Sequence, residues 1–348
     1  MQLLDFALRR RSRAWDRSSE LRALSHPKLV DRNGRQRTLY LQLETVNLCN
    51  NNCLICAYRE QERAKTHMAM EVFEKTIGDY ADMGGGYVSL TPIVGDVLLD
   101  RFLRERIAFL EKVSSISGIG FTTNAAMAHR FDDKELAAII SPLKHLSISV
   151  YGLDRAEYET MTQKTTYKRM VEGIRRIVDA ASAQVWLEFR LLQKRPREYV
   201  EGWVENEVGV KLGSKASVKS IITDYANWGI FDEVNTPLPR DAKWHQFEPA
   251  VSRPQCLIPL FAFMVFSNGN VSFCPCDNFQ DVEELRLGNV MDRPLSEIYN
   301  SEKVRKLWDW AGSGVPAFCQ KCSFHMPMAM LKSNPTIMDD PFQIVGAG

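Results

Sequence analysis

The stretch CNNNCLIC at 49–56 places three cysteines at C-x3-C-x2-C spacing. Thiolates are soft ligands that favour iron–sulfur clusters, zinc and copper(I). A structural zinc site closes with four ligands, and a [4Fe–4S] cluster usually takes four cysteines. Three thiols from one loop leave one metal position open. An open position is how a metal site recruits a small molecule, as catalytic zinc keeps one for water. The other five cysteines lie late in the chain: Cys256, Cys274, Cys276, Cys319 and Cys322. Cys256 is followed by twelve residues, then Gly269, then four residues before Cys274, and Cys319 and Cys322 form a C-x2-C pair. His67, His145 and His245 show no metal spacing with a His or Cys. His325 lies three residues past Cys322, a spacing that could suit zinc, but single histidines are more often satisfied structural residues and all four read so.

Runs of strand length that carry such residues fall at 38–44, 86–91, 118–122, 144–150, 184–191 and 217–223. Helical periodicity falls between them, near 70–83, 99–114, 132–141, 155–181 and 197–207. Met70, Phe73, Ile77 and Tyr80 recur at three- and four-residue steps, the apolar face of a helix. Strands alternating with helices imply an α/β fold with a parallel sheet, because each parallel pair needs a crossover. An open sheet and a partial barrel both fit. In either, functional residues collect in the loops after the strands, and the first cysteine group sits there. Beyond about 236 the rhythm changes to short strands, a turn at SNGN and the five remaining cysteines, which reads as a second, small domain.

The 348 residues carry 44 Lys and Arg against 43 Asp and Glu, a net charge of +1. Such a balance calls for neither nucleic acid nor an acidic membrane as partner. No run of 18 apolar residues is present, and MQLLDFALRRRSR lacks the order of a signal peptide. The expectation is a cytoplasmic protein, in which clustered cysteines serve metal or redox chemistry rather than disulfides. Residues 1–37 hold ten Lys and Arg against four Asp and Glu. They read as a solvated arm packed on the main domain, the alternative being a contact for an acidic partner.

ETVNLCNNNCLICAYRE resembles the E-x-T-x-x-C-N-x-x-C-x-x-C run of the radical S-adenosylmethionine (SAM) enzymes, with Val46 where Thr is common. The resemblance implies a partial (β/α)6 TIM-like barrel at 38–235 and a [4Fe–4S] cluster on Cys49, Cys53 and Cys56. SAM would chelate the open iron and yield a 5′-deoxyadenosyl radical on reductive cleavage. Tyr58 matches an aromatic near the adenine. Gly95 and Asp96 match the stretch that contacts the SAM amino group, although the carboxylate is one methylene short and Val97 replaces proline. Thr123 and Asn124 in FTTNA match the segment near the ribose. Ser149 in SISVYGLDRAEYETM matches a SAM carboxylate contact, with Tyr151 where Asp is common, and Arg190 at the end of the fifth strand adds a charge-assisted partner.

CLIPLFAFMVFSNGNVSFCPCD resembles the opening of the SPASM and twitch auxiliary domains. Five cysteines, against seven in a full SPASM domain, favour one auxiliary [4Fe–4S] cluster on Cys256, Cys274, Cys319 and Cys322. A small α+β twitch-like domain at 236–330 and a tail at 331–348 follow. Cys276 is left over as an alternative ligand, a structural thiol or a hydrogen-atom donor. The expected function is hydrogen abstraction from an unactivated C–H bond, powered by an external one-electron donor of flavodoxin or ferredoxin type. The arm is short for a leader-peptide-binding module, which favours a small polar substrate of sugar, aminocyclitol or nucleoside type. Cys276 favours epimerisation over dehydrogenation of a hydroxyl-bearing carbon, and radical epimerisation or crosslinking of a peptide stands as a further alternative. The rival from another class is a zinc-binding interaction protein. DYANWGIFDE at 224–233 places Asp224, Tyr225, Asn227 and Trp228 at the barrel mouth, to hold substrate or to pack the two domains together.

Overall fold

The computed structural model describes residues 27–245 and 255–333, apart from 32 and 329. Most of the basic arm, and the tail beyond 333, lie outside the described residues. All six expected strands are present: β1 (Tyr40–Leu43), β2 (Gly86–Ser89), β3 (Ile116–Thr123), β4 (His145–Val150), β5 (Val185–Arg190) and β6 (Ala216–Ile222). They pair in parallel, each with the next. Helices cross between them, giving the α/β partial barrel that the alternation implies.

Period-2 alternation divides each strand between two environments. Leu41, Leu43, Val88, Ile119, Phe121, Leu146, Ile148, Leu187 and Phe189 enter the apolar core under the helices. The alternate positions face the concave side of the sheet. They include Tyr40, Gln42, Tyr87, Ser89, Ser147, Ser149, Glu188 and Arg190, a largely polar set.

The helix Met70–Asp82 buries Phe73, Thr76, Ile77 and Tyr80, and Met70 packs at the margin of the core. Two expected helices are broken. The run at 155–181 forms two helices, Arg155–Thr162 and Tyr167–Ala180, because Gln163 takes a left-handed conformation and ends the first. The run at 99–114 shortens to Leu103–Leu110. Asp100, which accepts from Phe102 N (3.0 Å) and pairs with the buried Arg106 (2.8 Å), holds the preceding residues in a turn.

The sheet does not end at β1. Past the two-residue strands β7 (Asp224–Tyr225) and β8 (Lys243–Trp244), which pair with each other, β9 (Ala262–Val265) lies parallel to β1 on its free side. β10 (Asn270–Ser272) and β11 (Arg286–Asn289) extend it antiparallel, so nine strands run β11-β10-β9-β1-β2-β3-β4-β5-β6. SNGN is the β9–β10 turn, with Gly269 at φ 85°. Among the described residues no helix is long and apolar enough to cross a membrane.

Two glycines test this packing in opposite directions. Gly173 is buried in the helix Tyr167–Ala180, where a Cβ would run into the Ala125 carbonyl. Gly173→Ala should cost about 1–3 kcal/mol in urea unfolding, the usual result of overpacking. Gly78 is exposed in the helix Met70–Asp82 with nothing within 4 Å of its Cβ position. Gly78→Ala should stabilise by about 0.5–1 kcal/mol.

Candidate metal centres

The loop leaving β1 is held by backbone bonds before any metal is considered. Asn52 N and Leu54 N donate to Thr162 O (2.9 Å) and Met161 O (2.8 Å), so the loop is zipped to a helix end. Asn47 closes its base, donating to Ala64 O and accepting from Thr66 N. Cys53 is buried, and Cys49 and Cys56 are half-buried. Asn51 N donates to Cys49 Sγ and Tyr58 N to Cys56 Sγ, both at 3.4 Å. Burial pushes all three thiols up. Asp96 and Cys56 add to the effect at Cys49, Cys49 and Cys56 add to it at Cys53, and Arg190 opposes it at Cys53 and Cys56. Three thiols crowded together, with the Asp96 carboxylate near Cys49, make an expensive place for thiolate anions, and a bound metal supplies the positive charge that offsets it.

Other expected residues gather round this loop. Gly95, at φ 147°, passes so close that a Cβ would press on Leu48 O and Val46 O, and Asp96 N donates to Leu48 O at 2.8 Å. The buried Asp96 carboxylate accepts from Leu98 N (3.0 Å), Thr123 Oγ1 (3.0 Å) and Asn124 N (2.7 Å). Asn124 in turn donates to Asn50 Oδ1 (3.0 Å) and reaches Cys49 Sγ (3.9 Å). Asp96 thus organises the end of β3 against the cysteine loop. Ser149 accepts from Arg190 Nη1 at 3.0 Å. Tyr58 is half-buried, with Lys65 Nζ over its ring at 4.5 Å.

Two residues that the sequence reading did not assign to the site join it, and Trp228 takes one of its two expected roles. Tyr151, noted only as a departure from a motif, lies near Cys53 and Arg190, and burial first, then Cys53, pushes its hydroxyl up. Glu188 accepts from Arg190 Nη1 (3.1 Å) and Lys219 Nζ (2.9 Å). Burial would raise its carboxyl, but the two cations outweigh that and hold it below the usual range. Period-2 counting back from Arg190 puts Glu188 on the same face, and that signal was available. Trp228 serves packing: it donates to Ile55 O (3.0 Å) and meets Phe279 and Phe324 edge-on.

The five late cysteines line one cavity, together with Trp310, Phe318, Phe324 and His325. Distant segments are drawn in by hydrogen bonds. Leu257 N donates to Met326 O (2.7 Å) and Met328 N to Gln255 O (2.9 Å), which brings Cys256 beside the C-x2-C segment. Glu284 accepts from Ala317 N and Phe318 N at the start of the turn bearing Cys319. Asp277 Oδ2 accepts from Ser323 N (2.8 Å) and Ser323 Oγ (2.9 Å) just past Cys322. Cys276 N donates to Cys274 Sγ at 3.4 Å, and the two thiols share a hydrogen bond that raises Cys274. His325, expected to be structural, stacks on Trp310 in the cavity wall. Among the described residues no three His, Cys, Asp or Glu side chains converge on a single-ion point. A [4Fe–4S] cluster instead spreads its thiolates over four irons; the late group offers five thiols, enough for all four, and the loop offers three, which leaves one iron open.

Residues 43–201 match the Radical SAM superfamily, and residues 256–323 match SPASM, an iron-sulfur cluster-binding domain. The chain is a radical SAM protein with a C-terminal SPASM domain. Those two domains imply a [4Fe–4S] cluster that works with SAM and an auxiliary cluster. The GTP 3′,8-cyclase of Mannheimia succiniciproducens is 23% identical over 189 residues, 52% of this chain and 53% of that protein. That of Petrotoga mobilis is 25% identical over 150 residues, 42% and 45%. The chain thus spans about half the length of these curated relatives. The structure of BtrN in complex with AdoMet and 2-DOIA shares the fold at TM-score 0.52 and 13% identity, covering 83% of this chain and 93% of that one. Streptococcus suis SuiB bound to S-adenosylmethionine does so at 0.52 and 13%, covering 85% and 74%.

Burial, against the bonds from Asn124, Leu98 and Thr123, pushes the Asp96 carboxyl up to about 6 from its ordinary 3.8. A raised folded-state value makes the protonated form the stabilising one. That contribution is full below about pH 4 and is lost as pH rises through about 6. Asp96→Asn removes the loss. In urea unfolding of the metal-free protein, the variant should gain about 3 kcal/mol on wild type between pH 4 and pH 8. A difference between the two proteins that stays constant with pH would contradict this.

Proposed function

We propose that this chain is an epimerase that removes a hydrogen atom from an unactivated C–H bond of a small hydroxylated substrate and returns one through Cys276. When bound, the first cluster and SAM supply the 5′-deoxyadenosyl radical that makes the abstraction possible. In this reading Cys49, Cys53 and Cys56 hold that cluster, and Cys256, Cys274, Cys319 and Cys322 hold the auxiliary one. Arg190 and Ser149, already bonded to each other, bind the SAM carboxylate, and Tyr58 packs on the adenine. Asn124 and Thr123 face the ribose. Asp96, whose oxygens accept from three residues, acts on SAM chiefly by orienting those two, with Gly95 giving room. The same reading divides the chain into the arm 1–37, a barrel domain 38–235, an auxiliary domain 236–330 and the tail 331–348.

The observation that carries the proposal is where Cys276 stands. It shares the cavity of the four auxiliary cysteines yet lies only three residues before Phe279, which packs in the apolar cluster with Cys53 and Ile55. Its thiol is also felt by Tyr40 on the concave face, whose hydroxyl is pushed up by burial and then by Cys276. In this reading Cys276, where the chain leaves the late cysteine cavity toward Phe279 and the apolar cluster around Cys53, meets a carbon radical on the face opposite SAM. Its S–H bond breaks as the new C–H bond forms. One electron from the external donor and one proton then restore the thiol.

The polar residues of the concave strand face support the substrate class. Ser89, Ser147 and Ser149 share that face with the Glu188 carboxylate, which Lys219 and Arg190 both approach. Hydroxyls and hydrogen-bonding ions suit a hydroxylated substrate of sugar, aminocyclitol or nucleoside type.

Turnover in deuterated water tests the thiol. Wild type should place solvent deuterium on the inverted carbon. Cys276→Ala should still release 5′-deoxyadenosine but form no inverted, deuterated product. A Cys276→Ala variant with full epimerase turnover would rule the thiol mechanism out.

A further inference from the structure

Glu44 follows β1 directly, five residues before Cys49, and is fully buried. Arg63 stands seven residues past Cys56 and grips it as a fork, Nη1 to Oε1 at 2.7 Å and Nη2 to Oε2 at 2.6 Å. Two further groups complete the junction, and both belong to the late segment. Ser267 Oγ donates to Glu44 Oε1 at 3.0 Å, and Arg63 Nε donates to Phe279 O at 2.7 Å. The guanidinium also lies 4.6 Å over the Phe266 ring. On the outer rim, Gln280 accepts from Glu62 N (3.2 Å) and donates to Glu60 O (2.9 Å).

A buried ion pair is a poor device for stability, because desolvation offsets most of the Coulombic gain. Its directional bonds suit it to fixing geometry. This pair joins the two ends of the three-cysteine loop to each other and, with the third face of the Arg63 fork, to the segment that carries Cys276. Only a planar guanidinium can hold the carboxylate and the Phe279 carbonyl together, since a lysine offers a point charge on a flexible stem.

We propose that Arg63, anchored by Glu44, is a positioning residue that holds the 276–281 segment against the three-cysteine loop and so sets where the Cys276 thiol stands. The geometry is independent of what Cys276 does. Only the consequence, a thiol aimed at substrate, rests on the proposed epimerase reading.

Hydrogen–deuterium exchange of the full, metal-free chain tests it, with Arg63→Lys and Gln280→Ala beside wild type. Lysine keeps a cation opposite Glu44, and Gln280 is half-buried at the rim, bonded to the loop backbone, so both variants should unfold near the wild-type midpoint. In Arg63→Lys the amides of 276–281 should exchange about tenfold faster, the effect of losing one charge-assisted bond from a local opening equilibrium. Protection across β1 to β6 should be unchanged. Gln280→Ala should quicken the same amides by less. Wild-type exchange at 276–281 in both variants overturns the proposal, as does a faster exchange spread evenly over the sheet. Alkylation by iodoacetamide after cluster loading separates the two readings. Faster labelling of Cys276 in Arg63→Lys supports both. Faster exchange with Cys276 unlabelled in every protein keeps the positioning role and removes the free-thiol role.

Discussion

Four residue pairs hold the molecule's chemistry in one frame. Tyr40–Leu43 lies parallel to Ala262–Val265, residue for residue, across more than two hundred positions of chain. The three-cysteine loop leaves the end of the first strand. The second strand has Cys256 before it and Cys274 after it. Pairing them places both cysteine groups on one sheet, so their separation is set by backbone hydrogen bonds rather than by a linker. Clusters that exchange electrons or share a substrate need such a fixed separation, and a flexible hinge between two domains would not provide it.

The next demand is electrostatic. Burial pushes the thiols of Cys49, Cys53, Cys56 and Cys322 up, and the hydrogen bond shared with Cys276, then burial, raises Cys274. Metal binding must displace those protons, so cluster assembly and folding are coupled to pH. Arg190 is the cation that reaches the first group, and Glu188 holds Arg190 in place. A carboxylate two residues away on the same strand face therefore governs a guanidinium that bears on the cysteines, on Ser149 and on Tyr151.

Much of this was legible in the sequence for a physical reason. Strand alternation, helical periodicity and cysteine spacing are local signals, and all six barrel strands follow from them. The β1–β9 pairing is not local. AFMV is a short apolar run within CLIPLFAFMVFSNGN, and nothing in it names a partner. The break at Gln163 was hidden because no glycine marks that left-handed residue. The cysteine ligand candidates were legible by spacing, but their surroundings were not. Asp96 reads as a ligand-contacting carboxylate in its motif, and only the fold shows Thr123 and Asn124 occupying it. Tyr151 looked like a departure from a pattern, and the fold sets it beside Cys53.

In the proposed reading the two cysteine groups hold two iron–sulfur clusters, and the first cleaves SAM. The direct test is to reconstitute the protein anaerobically, count iron and sulfide, reduce with dithionite, add SAM and look for 5′-deoxyadenosine. About eight irons per chain, four for each cluster, with release of 5′-deoxyadenosine is the expected result. Colourless protein holding zinc and no iron would contradict it.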